Sequence, residues 1–343
     1  MLIDRKKQHL DIVLGGVPVS ATIGAGFDAI RFEHVALPEI DMSDIDLSTR
    51  FLGKEISAPF LVSSMTGGAE KAELINHNIA IACEAIGIPF AVGSQRVAID
   101  TDADWGMNRA LRRLAPSVPI LANIGAAQLN TGYGIDQARR AVEMIDADAL
   151  IIHLNPLQEA VQPEGDRNWA GLTGRIGELC AALHVPLVVK EVGAAISPTV
   201  AARLINLGVT IIDVAGAGGT SWAAVEAARA RTPAEAAVAS AFADWGQPTA
   251  RAISSLRQAQ PDIFIIGSGG VRNGVDAAKA LRLGADLVGQ AASVLRSATV
   301  SPEDVINHFE VMTAQLRVAC FCTGSSNIAQ LRSARLEAAP FTV

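Results

Sequence analysis

Residues 264–291 read FIIGSGGVRNGVDAAKALRLGADLVGQA, and this stretch decides the predicted fold. An apolar run, Phe264–Gly270, is followed by a helical pattern, Asn273–Leu283, and then by a second apolar run, Leu287–Ala291. Continuous apolar runs are typical of parallel strands that are buried on both faces. The stretch therefore predicts a strand, a helix and a second strand parallel to the first.

The same alternation extends back along the chain to about residue 58. Six further apolar runs precede the quoted stretch: Pro59–Met65, Pro89–Ser94, Pro119–Ile124, Ala149–Leu154, Pro186–Val192 and Ile211–Gly216. Helical patterns separate them: Lys71–Ile86, Asp136–Ile145, Gly171–Leu183, Ser197–Leu207 and Thr249–Ala259. Eight strands alternating with helices indicate a closed barrel or a doubly wound sheet. Because no dinucleotide fingerprint follows the first strand, we expect an α/β protein with a (β/α)8 TIM barrel.

The helical spacing also predicts one buried face. In Lys71–Ile86 the apolar residues recur at helical intervals, so we expect them to pack together on one side. These residues are Leu74, Ile75, Ile79, Ala82 and Ile86.

Three segments interrupt the alternation. Residues 1–58 precede the first strand and are predicted to form an N-terminal extension that packs on the barrel, residues 59–343, and contributes contacts to its site. The segments Asn155–Trp169 and Ala217–Pro248 are long. Long loops in a compact domain are lids, binding loops or partly disordered segments, so we expect loops of one of these kinds there.

Composition and charge exclude several classes of protein. Half of the 343 residues are hydrophobic, 18% are charged, and the formal net charge is −7. This balance lacks the basic footprint of proteins that bind nucleic acids or membrane surfaces. The sequence shows no signal peptide, no membrane helix of ~20 apolar residues and no C-x-x-C pair among its four cysteines. We therefore expect a soluble, cytoplasmic protein with reduced thiols.

Polar residues recur where the apolar runs end, which is where barrels carry their chemistry. The residues at these ends that are predicted to form the site are, in chain order, Ser64, Met65, Thr66, Ser94, Gln95, Arg96, Asn123, His153, Asn155, Gln158, Glu159, Lys190, Thr220, Gly269, Gly270, Gln290 and Ala291, and most of them are polar. A single buried polar residue is more often a satisfied part of the core. A ring of them at one mouth predicts a polar ligand, because buried polar groups need partners.

The last two strands carry the most specific signal. Gly-Ser-Gly-Gly-Val-Arg at 267–272 and Gly-Gln-Ala at 289–291 match the phosphate site that barrels build after strands seven and eight. The alternative is an ordinary glycine-rich turn. A phosphate there, with Lys190 projecting from the fifth strand, fits flavin mononucleotide (FMN). A cation near N1 and C2=O of a flavin stabilises the anionic reduced ring.

An ordered set of motifs carries a resemblance to a known family. The motifs are Arg5-Lys6-x-x-His9, Met65-Thr66-Gly67-Gly68, Gly93-Ser94-Gln95-Arg96, Asn155-x-x-Gln158-Glu159, Lys190-Glu191-Val192-Gly193, Gly218-Gly219-Thr220 and Gly269-Gly270-x-Arg272. From residue 5 to at least residue 324, the chain resembles the type 2, FMN-dependent isopentenyl-diphosphate delta-isomerases.

The resemblance implies a role for each group of site residues. FMN would be held by Ser64, Met65, Thr66, Ser94, Asn123, Lys190, Thr220, Gly269, Gly270, Gln290 and Ala291. The substrate would be bound by Arg5, Lys6, His9, Ser94, Gln95, Arg96 and Gln158. Mg²⁺ would be contacted through Glu159, and Gln158, His153 and Asn155 would be catalytic. Arginine forks suit diphosphate oxygens, and one carboxylate suffices for Mg²⁺ that also binds waters and phosphate.

The resemblance also implies the reaction. It is a 1,3-allylic proton shift that interconverts isopentenyl and dimethylallyl diphosphate without net redox change. Reduced FMN is expected to act as acid and base, with NADPH or NADH needed only to reduce it, while the protein supplies orientation and electrostatics. The family resemblance suggests a homo-oligomer, from dimer to octamer.

Two alternative functions stay open at this stage. An FMN-dependent 2-hydroxy-acid oxidase or dehydrogenase shares this barrel. It needs a histidine base and an arginine clamp near the glycines after the sixth strand, where Ala217–Thr220 offers neither. A flavin-binding protein without catalysis has the same motif spacing, and measured turnover distinguishes it from both enzymes.

Overall fold

The computed structural model describes residues 2–15, 22–65, 70–101 and 103–337. Its strands are β1 (Thr49–Phe51), β2 (Lys54–Ile56), β3 (Phe60–Val62), β4 (Phe90–Ala91), β5 (Ile120–Gly125), β6 (Ala149–Leu154), β7 (Leu187–Glu191), β8 (Ile211–Asp213), β9 (Phe264–Ser268) and β10 (Leu287–Gln290). Its α-helices are α1 (Leu2–Leu14), α2 (Glu70–Ile86), α3 (Arg96–Asp100), α4 (Ala110–Leu114), α5 (Ile135–Ile145), α6 (Pro156–Val161), α7 (Leu172–Ala182), α8 (Pro198–Ile205), α9 (Trp222–Ala228), α10 (Pro233–Ser240), α11 (Thr249–Ala259), α12 (Gly274–Leu283), α13 (Ala292–Ala298), α14 (Pro302–Cys322) and α15 (Ile328–Leu331). Short 3-10 helices span Phe27–Ala29, Met42–Asp44 and Ala126–Asn130.

Strands β3 to β10 form a closed parallel barrel in the order β10-β3-β4-β5-β6-β7-β8-β9. Each of the eight apolar runs supplies one strand, so the predicted (β/α)8 barrel is confirmed. In the runs that begin with proline, the strand starts at the residue after the proline, because proline has no N–H to donate to a β-ladder. In the register, His153 of β6 lies beside Lys190 of β7, and Lys190 lies beside Asp213 of β8.

The helix predictions hold with one correction on α2. Ile75, Ile79 and Ala82 are buried as expected, whereas Leu74 is 49% exposed. Adjacent residues on a helix differ by about 100° around its axis, so Leu74 and Ile75 cannot share the centre of one face. Cys83 occupies the buried position instead.

Apolar side chains fill both faces of the barrel wall. Along β3, Phe60 and Val62 pack outward against the helices, and Leu61 packs inside the barrel. This alternation is the side-chain period of two that every strand has. The inner cluster consists of Leu61, Ala91, Leu121, Ala149, Ile151, Val188, Ile211, Ile266 and Leu287, closed by Phe51 and Ile56 of the β1–β2 hairpin.

The N-terminal extension therefore reaches both ends of the barrel. The hairpin lies at the amino-terminal end, where Lys54 forms an ion pair of 2.8 Å with Asp148, just ahead of β6. Helix α1 packs against α9 and α13 at the opposite end. Within the described ranges, no helix is both long and apolar enough to cross a membrane.

Both segments expected to be loops contain helices, which corrects that expectation. Helix α6 begins with Pro156 directly after β6, and α9 and α10 lie within Ala217–Pro248. Ser221 Oγ accepts from Ala224 N, and Thr232 Oγ1 accepts from Glu235 N, so both helices have side-chain N-caps. These Ser and Thr residues are the start signals that the length of the segment obscured.

Candidate active site

A cavity of about 400 Å³ opens at the carboxyl ends of the barrel strands. Each barrel strand or the loop that follows it contributes to the wall, and α1 contributes from the N-terminal extension. Each residue of the floor lies two positions further along its strand than a residue of the inner apolar cluster. Because side chains alternate along a strand, the floor residues also face the barrel axis. Those that line the cavity are Ser63, Gly93, Asn123, His153, Lys190, Ser268 and Gly289.

Ten of the eleven residues predicted to hold FMN line this cavity. They are Ser64, Met65, Ser94, Asn123, Lys190, Thr220, Gly269, Gly270, Gln290 and Ala291. The eleventh, Thr66, lies outside the described residues. The hydroxyls of Ser63 and Ser64 are buried and have no hydrogen-bond partner in the described part of the chain. Buried polar groups in that state are ones that a polar ligand satisfies, so these residues fit a flavin.

The glycines after β8 and β9 let two loops pack into one wall. A Cβ on Gly269, whose φ is 104°, would collide with the carbonyl oxygen of Gly216. Only glycine adopts such a φ without strain. Thr249 Oγ1 donates to the Gly269 oxygen at 2.6 Å and links both loops to α11. The nearest neighbours of Gly219, Gly269 and Gly270 are backbone atoms of the facing loop.

Three cations meet at the rim between α1 and α3. They are Arg5, Lys6 and Arg96, and all three line the cavity. Lys6 Nζ donates to Ser94 O at 3.0 Å. Burial, reinforced by the charges of Arg5 and Arg96, lowers the pKa of Lys6 to about 7. The Nε atoms of both arginines are buried without a hydrogen-bond partner among the described residues, which is an arrangement suited to a polyanion.

Arg96 also holds a carboxylate that the sequence did not single out. Its Nη1 lies 2.9 Å from Asp166 Oδ2, and the backbone N–H of Asp166 donates to Glu159 Oε2 at 2.7 Å. Asp166 therefore connects the cation cluster to the carboxylate predicted to contact Mg²⁺.

His9 is fixed by residues that sequence reasoning missed. Its Nε2 lies 2.8 Å from Glu226 Oε1, and its ring meets the edge of Trp222 at a centroid distance of 5.2 Å. Burial alone would raise the pKa of Glu226, but the hydrogen bond from His9 and the Arg229 guanidinium bring it below its ordinary value. Glu226 lies within Ala217–Pro248, where the sequence predicted a loop, so no sequence signal marked it.

The three predicted catalytic residues lie together beneath α9. His153 Nδ1 lies 2.8 Å from Asn123 Oδ1, and Asn155 Nδ2 donates to Gln158 Oε1 at 3.1 Å. Gln158 Nε2 donates to Glu226 at 3.3 Å. Burial lowers the pKa of His153 to about 4, so its imidazole is neutral at pH 7. Their assigned catalytic roles stay predictions.

Glu159 fits the predicted Mg²⁺ contact. Its carboxylate lines the cavity, with the residue 4% exposed. It accepts hydrogen bonds from Asn155 at 3.0 Å, from Asp166 N and from Gln162. Each carboxylate oxygen has a second lone pair, and Mg²⁺ commonly takes one protein carboxylate together with waters and substrate phosphate.

Gln95 requires a correction. It was predicted to bind substrate, but it is fully buried and turned to the outside of the strand layer. Its Nε2 donates to Ala141 O of α5 at 2.8 Å, and its Oε1 accepts from Asn123 N at 2.9 Å. Its neighbour Ser94 faces the cavity, whereas Gln95 lies past the end of β4 and is the N-cap residue of α3. Gln95 therefore supports Asn123 from behind.

Known proteins are similar to this chain over almost its whole length. The family of FMN-dependent dehydrogenases matches residues 20–100 and 93–338. The isopentenyl-diphosphate delta-isomerase of Stutzerimonas stutzeri (strain A1501) is 59% identical over 335 residues, covering 98% of this chain and 97% of that protein. The enzyme of the same name from Pseudescherichia vulneris is 60% identical over 333 residues, covering 97% and 96%.

Solved structures show the same fold at low sequence identity. A mandelate oxidase carrying a monooxide FMN adduct superposes with a TM-score of 0.66 at 15% identity, covering 95% of both chains. A flavocytochrome b2 variant with pyruvate bound gives a TM-score of 0.66 at 16% identity, covering 96% of this chain and 82% of that one.

The barrel, the cavity at its carboxyl end and the family match define a flavin-dependent (β/α)8-barrel enzyme of the FMN-dependent dehydrogenase class. The identities of 59–60% over nearly the whole chain are more specific than the class. The chain belongs to the isopentenyl-diphosphate delta-isomerases, so the resemblance found in the sequence is confirmed.

Proposed function

We propose that the protein interconverts isopentenyl and dimethylallyl diphosphate in this cavity, by a 1,3-allylic proton shift with FMN and Mg²⁺ bound. The observation that carries the proposal is the meeting of two sets of residues in one cavity. The flavin set occupies the floor and the wall around β9 and β10, and the cation cluster of Arg5, Lys6 and Arg96 occupies the rim. Its relatives carry the name of this activity.

The cation cluster suits the diphosphate end of the substrate. Arg5 and Arg96 offer guanidinium forks, and Lys6 offers an ammonium between them. Glu159 would hold Mg²⁺ next to these cations, where the metal neutralises part of the diphosphate charge. The partly buried setting of the cluster strengthens each ionic contact relative to open solvent.

The hydrocarbon end then lies over the floor, toward the flavin. Reduced FMN, when bound, supplies the proton donor and acceptor for the allylic shift. His153 is neutral, and because Nδ1 donates to Asn123, its Nε2 is an acceptor rather than a strong acid. Gln158 is positioned by Asn155 and Glu226, and orients the alkene for the shift.

Further parts of the proposal rest on the relatives and on the chemistry. NADPH or NADH reduces the flavin and is not consumed in turnover. The protein acts as a homo-oligomer, and residues 1–58 supply Arg5, Lys6 and His9 to the site. The 2-hydroxy-acid oxidase alternative is the weaker one, because the similarity to mandelate oxidase is 15% in sequence and shows the fold alone.

An anaerobic assay separates the two activities. FMN-loaded protein is incubated in D₂O with isopentenyl diphosphate, Mg²⁺ and a limiting amount of NADPH. We expect many dimethylallyl diphosphate molecules per NADPH, with deuterium in the allylic product, because the proton comes from an exchangeable site. Consumption of one NADPH, or of one oxidant, per product would overturn the isomerase assignment.

A further inference from the structure

Lys190, Asp213 and Ser268 form a buried polar cluster at the cavity floor. Lys190 Nζ lies 3.0 Å from Asp213 Oδ2 and donates to Ser268 Oγ at 3.3 Å. Ser268 Oγ in turn donates to Asp213 Oδ1 at 2.6 Å. Lys190 and Ser268 line the cavity, whereas the side chain of Asp213 is 1% exposed and lies behind them.

Asp213 is the carboxylate that contacts this ammonium. On the opposite flank, His153 is in register with Lys190 but is neutral, because burial and the charges of Lys6 and Lys190 lower its pKa. Glu191 follows Lys190 on β7, and its carboxylate turns away to accept from the N–H groups of the next residues, at 2.7 and 2.6 Å. Burial raises the pKa of Glu191 to about 7.

We propose that Asp213 is a positioning residue that keeps the Lys190 ammonium protonated and directed at the flavin, and thereby sets the reduction potential of bound FMN without touching it. The inference rests on FMN binding in this cavity, as proposed above. The side chain of Lys190 is 9% exposed. A buried ammonium that loses its counter-ion becomes easier to deprotonate, because burial penalises the charged form. The flavin would then lose the cation that stabilises its anionic reduced ring.

The test measures the reduction potential of bound FMN between pH 6 and pH 9. Lys190→Met removes the cation, so we expect the preference for reduced over oxidised FMN to fall about ten- to a hundredfold at every pH. Because tenfold corresponds to ~30 mV for two electrons, the potential falls by about 30–60 mV relative to wild type. Asp213→Asn should match wild type at pH 6 and Lys190→Met at pH 9, as the unpaired lysine loses its proton.

Further variants separate this role from general damage. Asp213→Glu keeps the charge and should restore the wild-type potential at pH 9. Asp213→Asn should add nothing in a Lys190→Met background, since the group through which it acts is gone. Asp286→Asn breaks an Arg257 ion pair of 2.6 Å just ahead of β10, at the amino-terminal end of the barrel, and should leave the potential unchanged. If Asp213→Asn does not fold, the smaller Asp213→Ser replaces it in the same titration.

The outcomes distinguish this inference from the proposed function. If wild-type protein binds FMN and Asp213→Asn keeps the wild-type potential at pH 9, the role of Asp213 is wrong and the function stands. A potential of Asp213→Asn that is raised above wild type at both pH values also overturns the inference. Asp213 would then only offset the positive charge of a lysine that stays protonated throughout. A wild-type protein that binds no FMN overturns both.

Discussion

Under the proposed function, in which Lys6 binds the substrate diphosphate, substrate binding should depend on pH in a direction set by the pKa of Lys6. Burial and the neighbouring Arg5 and Arg96 bring this pKa to about 7, so the free protein loses the Lys6 charge as the pH rises above neutrality. A bound diphosphate places negative charge beside Nζ and raises the pKa again. Binding above pH 7 therefore takes up a proton at Lys6.

The size of the effect follows from the same pKa. One pH unit above 7 leaves about one Lys6 in ten charged, and each unit costs about 1.4 kcal/mol, or a tenfold rise in Kd. Between pH 7 and pH 9 the charged fraction of Lys6 falls from about one half to about one hundredth, so we expect Kd to rise roughly fiftyfold, unless the pKa in the complex is reached first. Below about pH 6 Lys6 is almost fully charged, so this contribution to the pH dependence disappears.

Calorimetry measures the proton directly. Isopentenyl diphosphate is titrated into FMN-loaded protein with oxidised flavin at pH 8, in buffers of different ionisation enthalpy. Lys6→Arg is the matched control, because arginine keeps its charge throughout this range and the protons of the diphosphate itself cancel in the comparison. Wild type should take up about 0.9 proton more than Lys6→Arg. Equal uptake, with parallel pH profiles of Kd, would refute the reasoning.

Two more predictions concern the metal and the barrel. Glu159→Gln should raise the Mg²⁺ concentration needed for half-maximal activity and leave FMN bound. Glu164→Gln changes an exposed residue of the same segment and should alter neither property. Wild-type Mg²⁺ dependence in Glu159→Gln would show that this carboxylate does not hold the metal. Phe51→Ala should lower the free energy of unfolding by about 3–5 kcal/mol, because it leaves a cavity where Phe51 closes the inner apolar cluster of the barrel. Leu37 is 75% exposed, so Leu37→Ala should cost little in the same denaturant titration. An equal loss of stability in both variants would contradict the role of Phe51 in closing the inner apolar cluster.

The fold could be predicted because its signals are local. A parallel strand buried on both faces must be apolar over its whole length, so each strand is visible in its own residues, as Ala149–Leu154 is. The helices of Ala217–Pro248 were missed for the opposite reason. Each helix is signalled only by a single capping residue, Ser221 or Thr232. The length of the segment favoured the prediction of a loop over these two signals.

Much of the candidate site could also be predicted, because parallel strands bring their carboxyl ends to one mouth. Residues as distant as Ser64 and Gln290 were expected there together, and both line the cavity. The direction of each side chain was not accessible for residues just past a strand, where the period of two ends. Gln95 was therefore placed in the site, and the structure turns it outward.

The sequence by itself determined the barrel, the order of its strands and the family, since each follows from residues read one after another. The tertiary structure decided which charges face each other. His9 and Glu226 are 217 positions apart and lie 2.8 Å from each other, and Asp213 is placed beside Lys190 by the register of two strands. Coulombic interactions depend on distance in space and on burial, and neither is a property of sequence separation.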